Sequence, residues 1–288
     1  SKEELRETLN LAHSYRQDRR INADCLKGQT IGLIFLKNST RTRVSFETGV
    51  YQLGGNPMYM DQNGLQVGRG ESFEDTARVL SRYLDGIVIR GHKHEDIKAF
   101  ADSCTIPVIN ALTDTFHPCQ LLADMQLIDH EKGHLDGVKV AFMGDCASNM
   151  ALSWIYAAHL TGMELRLGGP EKFMPPKEFL DSIGNPTNII LTHDAQEAAK
   201  DADFIYTDVW ISMGFEEESA ERAKIFFPYQ VNQALLDVAT KDVKVMHCLP
   251  AYREKEITAD VLEGKHSVVW DQAENRLHAQ KAIMTLKF

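Results

Sequence analysis

The sequence predicts an α/β protein of two domains, each a parallel sheet flanked by helices, with long helices linking them. Three observations predict it. Short apolar runs without polar alternation recur along the chain, as expected of strands buried on both faces. Segments with apolar residues at helical spacing separate these runs, so strands and helices alternate. The 288 residues exceed the roughly 100–200 of a typical domain.

Residues 1–21 are charged, with apolar positions at Leu5, Leu9, Leu11 and Ala12, and read as a surface helix. Residues 30–36 (TIGLIFL) read as a buried strand. A polar turn, 37–43 (KNSTRTR), leads into a helix through Phe46, Val50 and Leu53 that the Gly54-Gly55 pair closes. Residues 85–90 (DGIVIR) and 106–110 (IPVIN) are further strands. From His117 to Asp129 a helical pattern (Leu121, Leu122, Met125, Ile128) reads as a connecting helix, with the domain boundary at its end near Lys132-Gly133. A second series opens at 139–144 (KVAFMG), followed by a helix through Trp154, Ala157, Ala158 and Leu160. Residues 165–168, 189–192, 204–207, 243–247 and 267–270 read as its later strands. The tail from Glu274 is helical again and returns to the first domain. The predicted domains are therefore 1–132, joined by a C-terminal helix at 272–288, and 133–271. There is no internal repeat and no low-complexity tract.

Composition narrows the function. Lys+Arg number 31 and Asp+Glu 41, a formal charge of −10, with 43% hydrophobic and 25% charged residues. That is an ordinary globular composition. Its acidity argues against nucleic acid as a general partner. No stretch approaches the roughly 18 apolar residues of a membrane helix, and no signal-type apolar region opens the chain. The chain starts at Ser1, not Met, which is compatible with a removed leader. The cysteines, Cys25, Cys104, Cys119, Cys146 and Cys248, are odd in number and never spaced C-x-x-C. This disfavours a disulfide framework and a thiolate zinc site and predicts reduced thiols in a cytoplasmic setting.

In parallel α/β sheets ligands gather at the carboxyl ends of strands, and unusual residues stand there. Ser39, Thr40, Arg41 and Thr42 open a helix, where unpaired N–H groups and a partial positive charge favour phosphate, and Arg41 adds a bidentate cation. A plain helix cap with solvated arginines is the competing reading. Arg90 ends the run 87–89 and either snorkels out or points into the crevice. His117 precedes Pro118 at a helix mouth, where a neutral imidazole can donate to a carbonyl oxygen. Asp208, with Ser212 and Gly214 beyond it, suits an ammonium-bearing ligand; the bland reading is a turn cap. Cys248, in 247–251 (HCLPA), is nucleophile, ligand contact or inert packing. Two other patterns are set aside. Residues 130–134 (HEKGH) match H-E-x-x-H, but Gly133 should end the helix that a zinc site needs. Residues 145–149 (DCASN) occupy the place of a dinucleotide fingerprint without being one, and there is no G-x-x-x-x-G-K-[ST].

Together, STRTR at 39–43, HPCQ at 117–120, DVWISMG at 208–214 and HCLPA at 247–251 resemble the carbamoyltransferase family along essentially the whole chain, and within it the ornithine-type branch. The resemblance implies transfer of the carbamoyl group of carbamoyl phosphate to the side-chain amine of L-ornithine, giving L-citrulline and phosphate, in arginine biosynthesis or a catabolic arginine deiminase route. It implies carbamoyl-phosphate contacts from Ser39, Thr40, Arg41, Thr42, Gln66, Arg90, His117 and Gln120, with Cys248, Leu249 and Arg276 closing around the carbamoyl group. Ornithine contacts would come from Asn149, Asp208, Ser212 and Met213, and the catalytic set would be Arg41, Arg90, His117, Asp208 and Cys248. No metal and no organic cofactor are required. A homotrimer is implied, with sites at subunit interfaces reached by the glycine-rich stretch 63–71 that contains Gln66, and with domains that close on ordered binding, carbamoyl phosphate first. Leu152 and Tyr252 depart from the family pattern, where Asn or His is common at the first and His at the second, and the N-terminus is short for the family. Alternative readings are another amine acceptor such as putrescine or N-acetylornithine, a non-catalytic ligand-binding relative, and a nicotinamide dehydrogenase, which lacks its fingerprint here.

Overall fold

Strand β1 (Thr30–Phe35) is buried from its second residue onward, which is why its sequence carries no polar alternation. A computed structural model describes residues 1–66, 70–210 and 219–288. Contacts divide the chain into two compact units, Ser1–Leu127 with Glu274–Phe288, and Ile128–Ala273. The first contains α1 (Lys2–Gln17), β1, α2 (Thr40–Gln52), β2 (Asn56–Asp61), α3 (Phe73–Leu80), β3 (Gly86–Arg90), α4 (His94–Ser103) and β4 (Val108–Leu112). Helix α5 (Pro118–Lys132) begins in this unit. Its four strands are parallel in the order β2-β1-β3-β4. The order reverses between β1 and β3, so their carboxyl ends flank a crevice of the kind that holds ligands in such sheets. Phe35 pairs with Arg90 across that gap.

The second unit contains β5 (Lys139–Met143), α6 (Asn149–Thr161), β6 (Glu164–Gly168), α7 (Lys177–Ser182), β7 (Ile189–Thr192), α8 (Ala195–Ala199), β8 (Phe204–Thr207), α9 (Ser219–Phe226), α10 (Gln233–Val238), β9 (Lys244–His247) and α11 (Ala259–Leu262). Its five strands are parallel in the order β7-β6-β5-β8-β9, with the reversal between β5 and β8. Helix α12 (Val269–Lys287) starts in this unit, and from Glu274 onward it belongs to the first. There α12 lies close on α2: a Cβ added at Gly49 would sit 2.8 Å from Met284.

The α/β class and the parallel sheets agree with the sequence. Several elements differ. Residues 267–270 are not a strand: Ser267 makes a single bridge to Val245 and the helix is already turning at Val268, whose carbonyl accepts the N–H of Gln272. The β-branched pair Val268-Val269 before Trp270 imitated a strand. Strand β2 was not anticipated, because Pro57 and a mixed burial pattern mask an edge strand. Helix α1 is more than a surface helix: Leu9, Ala12 and Tyr15 are fully buried. Strand β4 begins two residues late, at Val108. The contact division falls inside α5, whereas the sequence reading put the domain boundary at its end.

Candidate functional site

In the first unit the site begins with the cap of α2. Ser39 is the N-cap, its Oγ accepting the Thr42 N–H at 3.2 Å, and the first helical turn holds no acid, so the positive end of the helix is uncompensated. Thr40 and Arg41 are exposed, while Thr42 is 1% exposed. Two guanidinium groups converge on its hydroxyl. Arg276 Nη2 donates to Thr42 Oγ1 at 3.0 Å, and Arg90 Nη1 at 3.4 Å. Arg276 Nη1 also donates to Gln120 Oε1 at 2.6 Å, and Gln120 in turn donates to Asp124 at 2.9 Å. With its amide oxygen turned to the guanidinium, Gln280 accepts from Arg276 Nη2 and Nε at 3.1 and 3.2 Å.

His117 is buried beside this group, immediately before α5. Burial, then Arg276, Arg90 and Arg41, hold its imidazole well below the usual histidine pKa. At neutral pH it is therefore an uncharged ring, able to donate one N–H to an oxygen without adding charge. Lys37 is also depressed, by burial and then by Arg90. The half-site is a buried cationic cradle whose hydroxyl, guanidinium and imidazole donors surround the open N-terminus of a helix. It suits a small anion carrying a carbonyl. Gln66 stands apart: it is exposed on the turn after β2, and among the described residues no hydrogen bond ties its side chain to the Thr42 group.

In the second unit the sites cluster where β5, β8 and β9 end. Cys248 Sγ donates to Asp208 Oδ1 at 2.9 Å, and the same carboxylate oxygen accepts the Val209 N–H at 2.7 Å. His247 locks the turn that carries the thiol: its Nδ1 accepts the Leu249 N–H at 2.9 Å and its Nε2 donates to buried Glu256 at 3.1 Å. Leu249 adopts a left-handed φ of 56°, a conformation that this bond helps to hold. Asp208, His247 and Cys248 bring ligand atoms within 4.8 Å of one another, but both His247 ring nitrogens are committed, so the trio is poorly prepared for a metal. Asn149 is the half-buried first residue of α6, whose N-cap is Ser148. Ser212 and Met213 lie outside the described residues. Burial raises the thiols of Cys119, to about 11, and Cys146, which leaves both unreactive. The H-E-x-x-H match cannot put both histidines on one helix face, since α5 stops at Lys132 and Gly133 has φ +76°.

Sequence reasoning named Gln120 and Arg276 but gave no reason for them to meet. It missed Gln280, Glu256, Asp145 and Arg222, all polar residues without a local motif.

Comparison with known proteins gives one answer. The family described as aspartate/ornithine carbamoyltransferase, carbamoyl-P binding domain, matches residues 1–130, and the Asp/Orn binding domain of the same family matches residues 136–286. An ornithine carbamoyltransferase of Oceanobacillus iheyensis is 51% identical over 99% of this chain and 90% of its own length. One from Methanothermobacter thermautotrophicus is 48% identical over 96% and 92%. Among solved structures, the Pyrococcus furiosus ornithine carbamoyltransferase superposes with a TM-score of 0.94 at 46% identity, covering 99% of this chain and 93% of that one. The anabolic ornithine carbamoyltransferase of Campylobacter jejuni gives 0.93 at 37%, covering 99% and 95%. Motifs, sheet order, cationic cradle and relatives agree, and the chain belongs to the aspartate/ornithine carbamoyltransferase family.

Proposed function

We propose that this chain transfers the carbamoyl group of carbamoyl phosphate to the side-chain amine of L-ornithine, giving L-citrulline and phosphate. The observation that carries the reading is the convergence of Arg90 and Arg276 on Thr42 at the acid-free N-terminus of α2, with neutral His117 beside them. Relatives named ornithine carbamoyltransferase over nearly the full length support the acceptor.

On this reading residues 1–132 with 272–288 are the carbamoyl-phosphate domain and 133–271 the ornithine domain. Ser39, Thr40, Arg41, Thr42 and the first N–H groups of α2 hold the phosphate, with Gln120, Arg276 and Gln66 completing the contacts. Thr42, Arg90 and His117 face the carbonyl oxygen. Asn149, Asp208, Ser212 and Met213 hold the amino acid. The side-chain ammonium gives a proton to the Asp208–Cys248 pair, because only the free amine has a lone pair to attack with. The nitrogen bonds to the carbamoyl carbon, and negative charge on the carbonyl oxygen is stabilised by the Arg90, Thr42 and His117 donors. The bond between the carbamoyl carbon and the phosphate oxygen then breaks, and phosphate leaves against Arg41 and the helix end, taking up the second proton that the nitrogen loses. Cys248 and Leu249 close around the carbamoyl group. Carbamoyl phosphate binds first, since its charge completes the surface against which a cationic amino acid docks.

The proposed assembly is a homotrimer. On the first unit Val44 and Tyr51, seven residues apart on one face of α2, are 53% and 76% exposed, an apolar pair that a neighbouring copy could cover. A cavity of about 420 Å³, lined by Ser39, Thr40, Arg43, Val44 and Tyr59, opens beside the helix cap and gives a neighbouring copy's loop a place to reach the site. The five free cysteines support a reducing cytoplasmic setting. Incubating the protein with both substrates and counting products tests the reaction: citrulline and phosphate should appear one for one, and carbamoyl phosphate hydrolysis without citrulline would overturn it.

A further inference from the structure

Asp145 follows β5, at the place a dinucleotide fingerprint would occupy, and no step of the reaction above uses it. Its surroundings show an organised role. Oδ1 accepts the Ala147 N–H at 3.1 Å and the Asp145 carbonyl accepts the Ser148 N–H at 3.2 Å. Asp145 thereby builds the turn that opens α6, whose first residue is Asn149. Its other carboxylate oxygen accepts from Arg222 Nη2 at 2.7 Å.

Arg222, on α9, is held from several sides. Its Nε donates to the Trp210 carbonyl at 3.0 Å. Its guanidinium rests 4.7 Å from the centre of the Phe173 ring and 5.3 Å from that of Phe226, and the Trp210 ring stacks on Phe226 at 6.2 Å. The Arg222 and Asp145 side chains are only 15% and 18% exposed, so water screens the pair little. Burial raises the Asp145 carboxyl, Arg222 opposes that, and the charge of Asp208 adds to the rise. A single guanidinium thus joins the turn before Asn149 to the chain two residues past Asp208.

We infer that Arg222 and Asp145 are a positioning pair for the amino-acid half-site, fixing the spacing between Asn149 and Asp208 without touching the reacting atoms. The inference rests on the reading that this half-site holds the ornithine head group. A purely structural ion pair would affect stability and both substrates alike, whereas a positioning pair acts on the amino acid alone.

The test uses the full chain with Arg222→Gln, Arg222→Lys, Asp145→Asn and the Asp145→Asn/Arg222→Gln double variant. Three readouts are needed: KM for each substrate from citrulline formation, the Kd of L-norvaline with carbamoyl phosphate present, and Tm. L-norvaline is the ornithine skeleton without its side-chain amine, so it reports head-group binding without reaction. A misplaced head-group hydrogen bond predicts a rise of about tenfold in ornithine KM and norvaline Kd for Arg222→Gln and Asp145→Asn. The carbamoyl phosphate KM should stay within about twofold, Arg222→Lys should recover part of the loss, and the double variant should be no worse than the worse single one. Norvaline Kd unchanged in folded variants would overturn the inference, and so would an equal rise in both substrates' KM. If Arg222→Gln does not fold, Asp145→Asn, which keeps the side-chain shape and the Ala147 acceptor, decides by the same criteria. Failure of the parent protein to form citrulline would sink the proposed reaction alone, because the norvaline measurements would still judge the pair.

Discussion

Replacing Arg41 with alanine should loosen carbamoyl phosphate without loosening the fold. Arg41 is the second residue of α2 and exposed, and among the described residues no hydrogen bond or ion pair engages its guanidinium. Its charge nevertheless bears on buried His117, so it stands at the edge of the cradle. In the proposed complex it makes charge-assisted hydrogen bonds to phosphate, each contributing roughly 1.5–3 kcal/mol. Kd should therefore rise about ten- to hundredfold. The acid-free helix N-terminus and the buried guanidinium groups remain, so binding is weakened and not abolished. Because Arg41 is exposed, the effect should shrink with added salt. A surface substitution of this kind changes stability by about 0.5 kcal/mol at most, a Tm shift of about 1–2 °C in a chain of this size. Calorimetric titration with carbamoyl phosphate, without ornithine, reads the affinity, and a thermal melt reads the fold. Arg41→Lys should recover charge but not the bidentate geometry, and so fall between. An unchanged Kd at matched Tm would mean that the STRTR turn is only a helix cap.

Arg276→Met should behave differently: Arg276 is buried and donates to Thr42 and Gln120, so its loss strands acceptors at about 1–3 kcal/mol each. Urea unfolding should show lower stability together with weaker carbamoyl phosphate binding; an unaltered midpoint would contradict the network. His117 makes stability depend on pH. Its folded pKa is depressed, chiefly by burial, so below about pH 6.5 the unfolded chain takes up a proton that the folded chain refuses. Its contribution is flat above that pH and falls below it by up to about 1.4 kcal/mol per unit. His278 is lowered in the same direction by burial, so His117→Gln isolates the share of His117: it should flatten the acid-side loss relative to the parent, and parallel curves from pH 7.5 to 5.5 would refute the assignment. Cys248→Ser, next to Asp208, should raise ornithine KM or lower kcat and affect carbamoyl phosphate less; a drop in Tm alone would make that cysteine a packing residue. Sedimentation at assay concentration should show a trimer, and an active monomer would rule out shared sites.

The legible part of the fold was the part in which burial writes itself into sequence. Strands β1, β3, β5 and β8 are enclosed on both faces, so each reads as an uninterrupted apolar run, and the residue after each run falls at the ligand-bearing end of a sheet. That is why Arg90, Asp208 and the turn at 39–43 could be singled out from local pattern. Strand β2 lies at a sheet edge and is half-exposed, so its sequence records no such burial. Residues 267–270 misled because β-branched residues fit a helix start as well as a strand. The cradle was only half legible. Thr42, Gln120 and Arg276 come from α2, α5 and α12, and their meeting follows from the close approach of α12 to α2 at Gly49. No spacing in the sequence encodes that approach. Arg222 was hidden for the same reason: in a charged stretch it looks like any solvated arginine, and only tertiary packing shows it half-buried against Asp145 and two rings.

The identity of the acceptor decides the assignment most directly. Initial rates with carbamoyl phosphate and L-ornithine, putrescine or Nα-acetylornithine as competing amines compare kcat/KM on one preparation. L-ornithine should come first, because Ser212 and Met213, with Asn149, are assigned to a free α-amino-acid head group that putrescine lacks and acetylation blocks. Removing recognised charged or hydrogen-bonding groups should reduce kcat/KM by at least about a hundredfold. Putrescine or Nα-acetylornithine preferred over L-ornithine would contradict it.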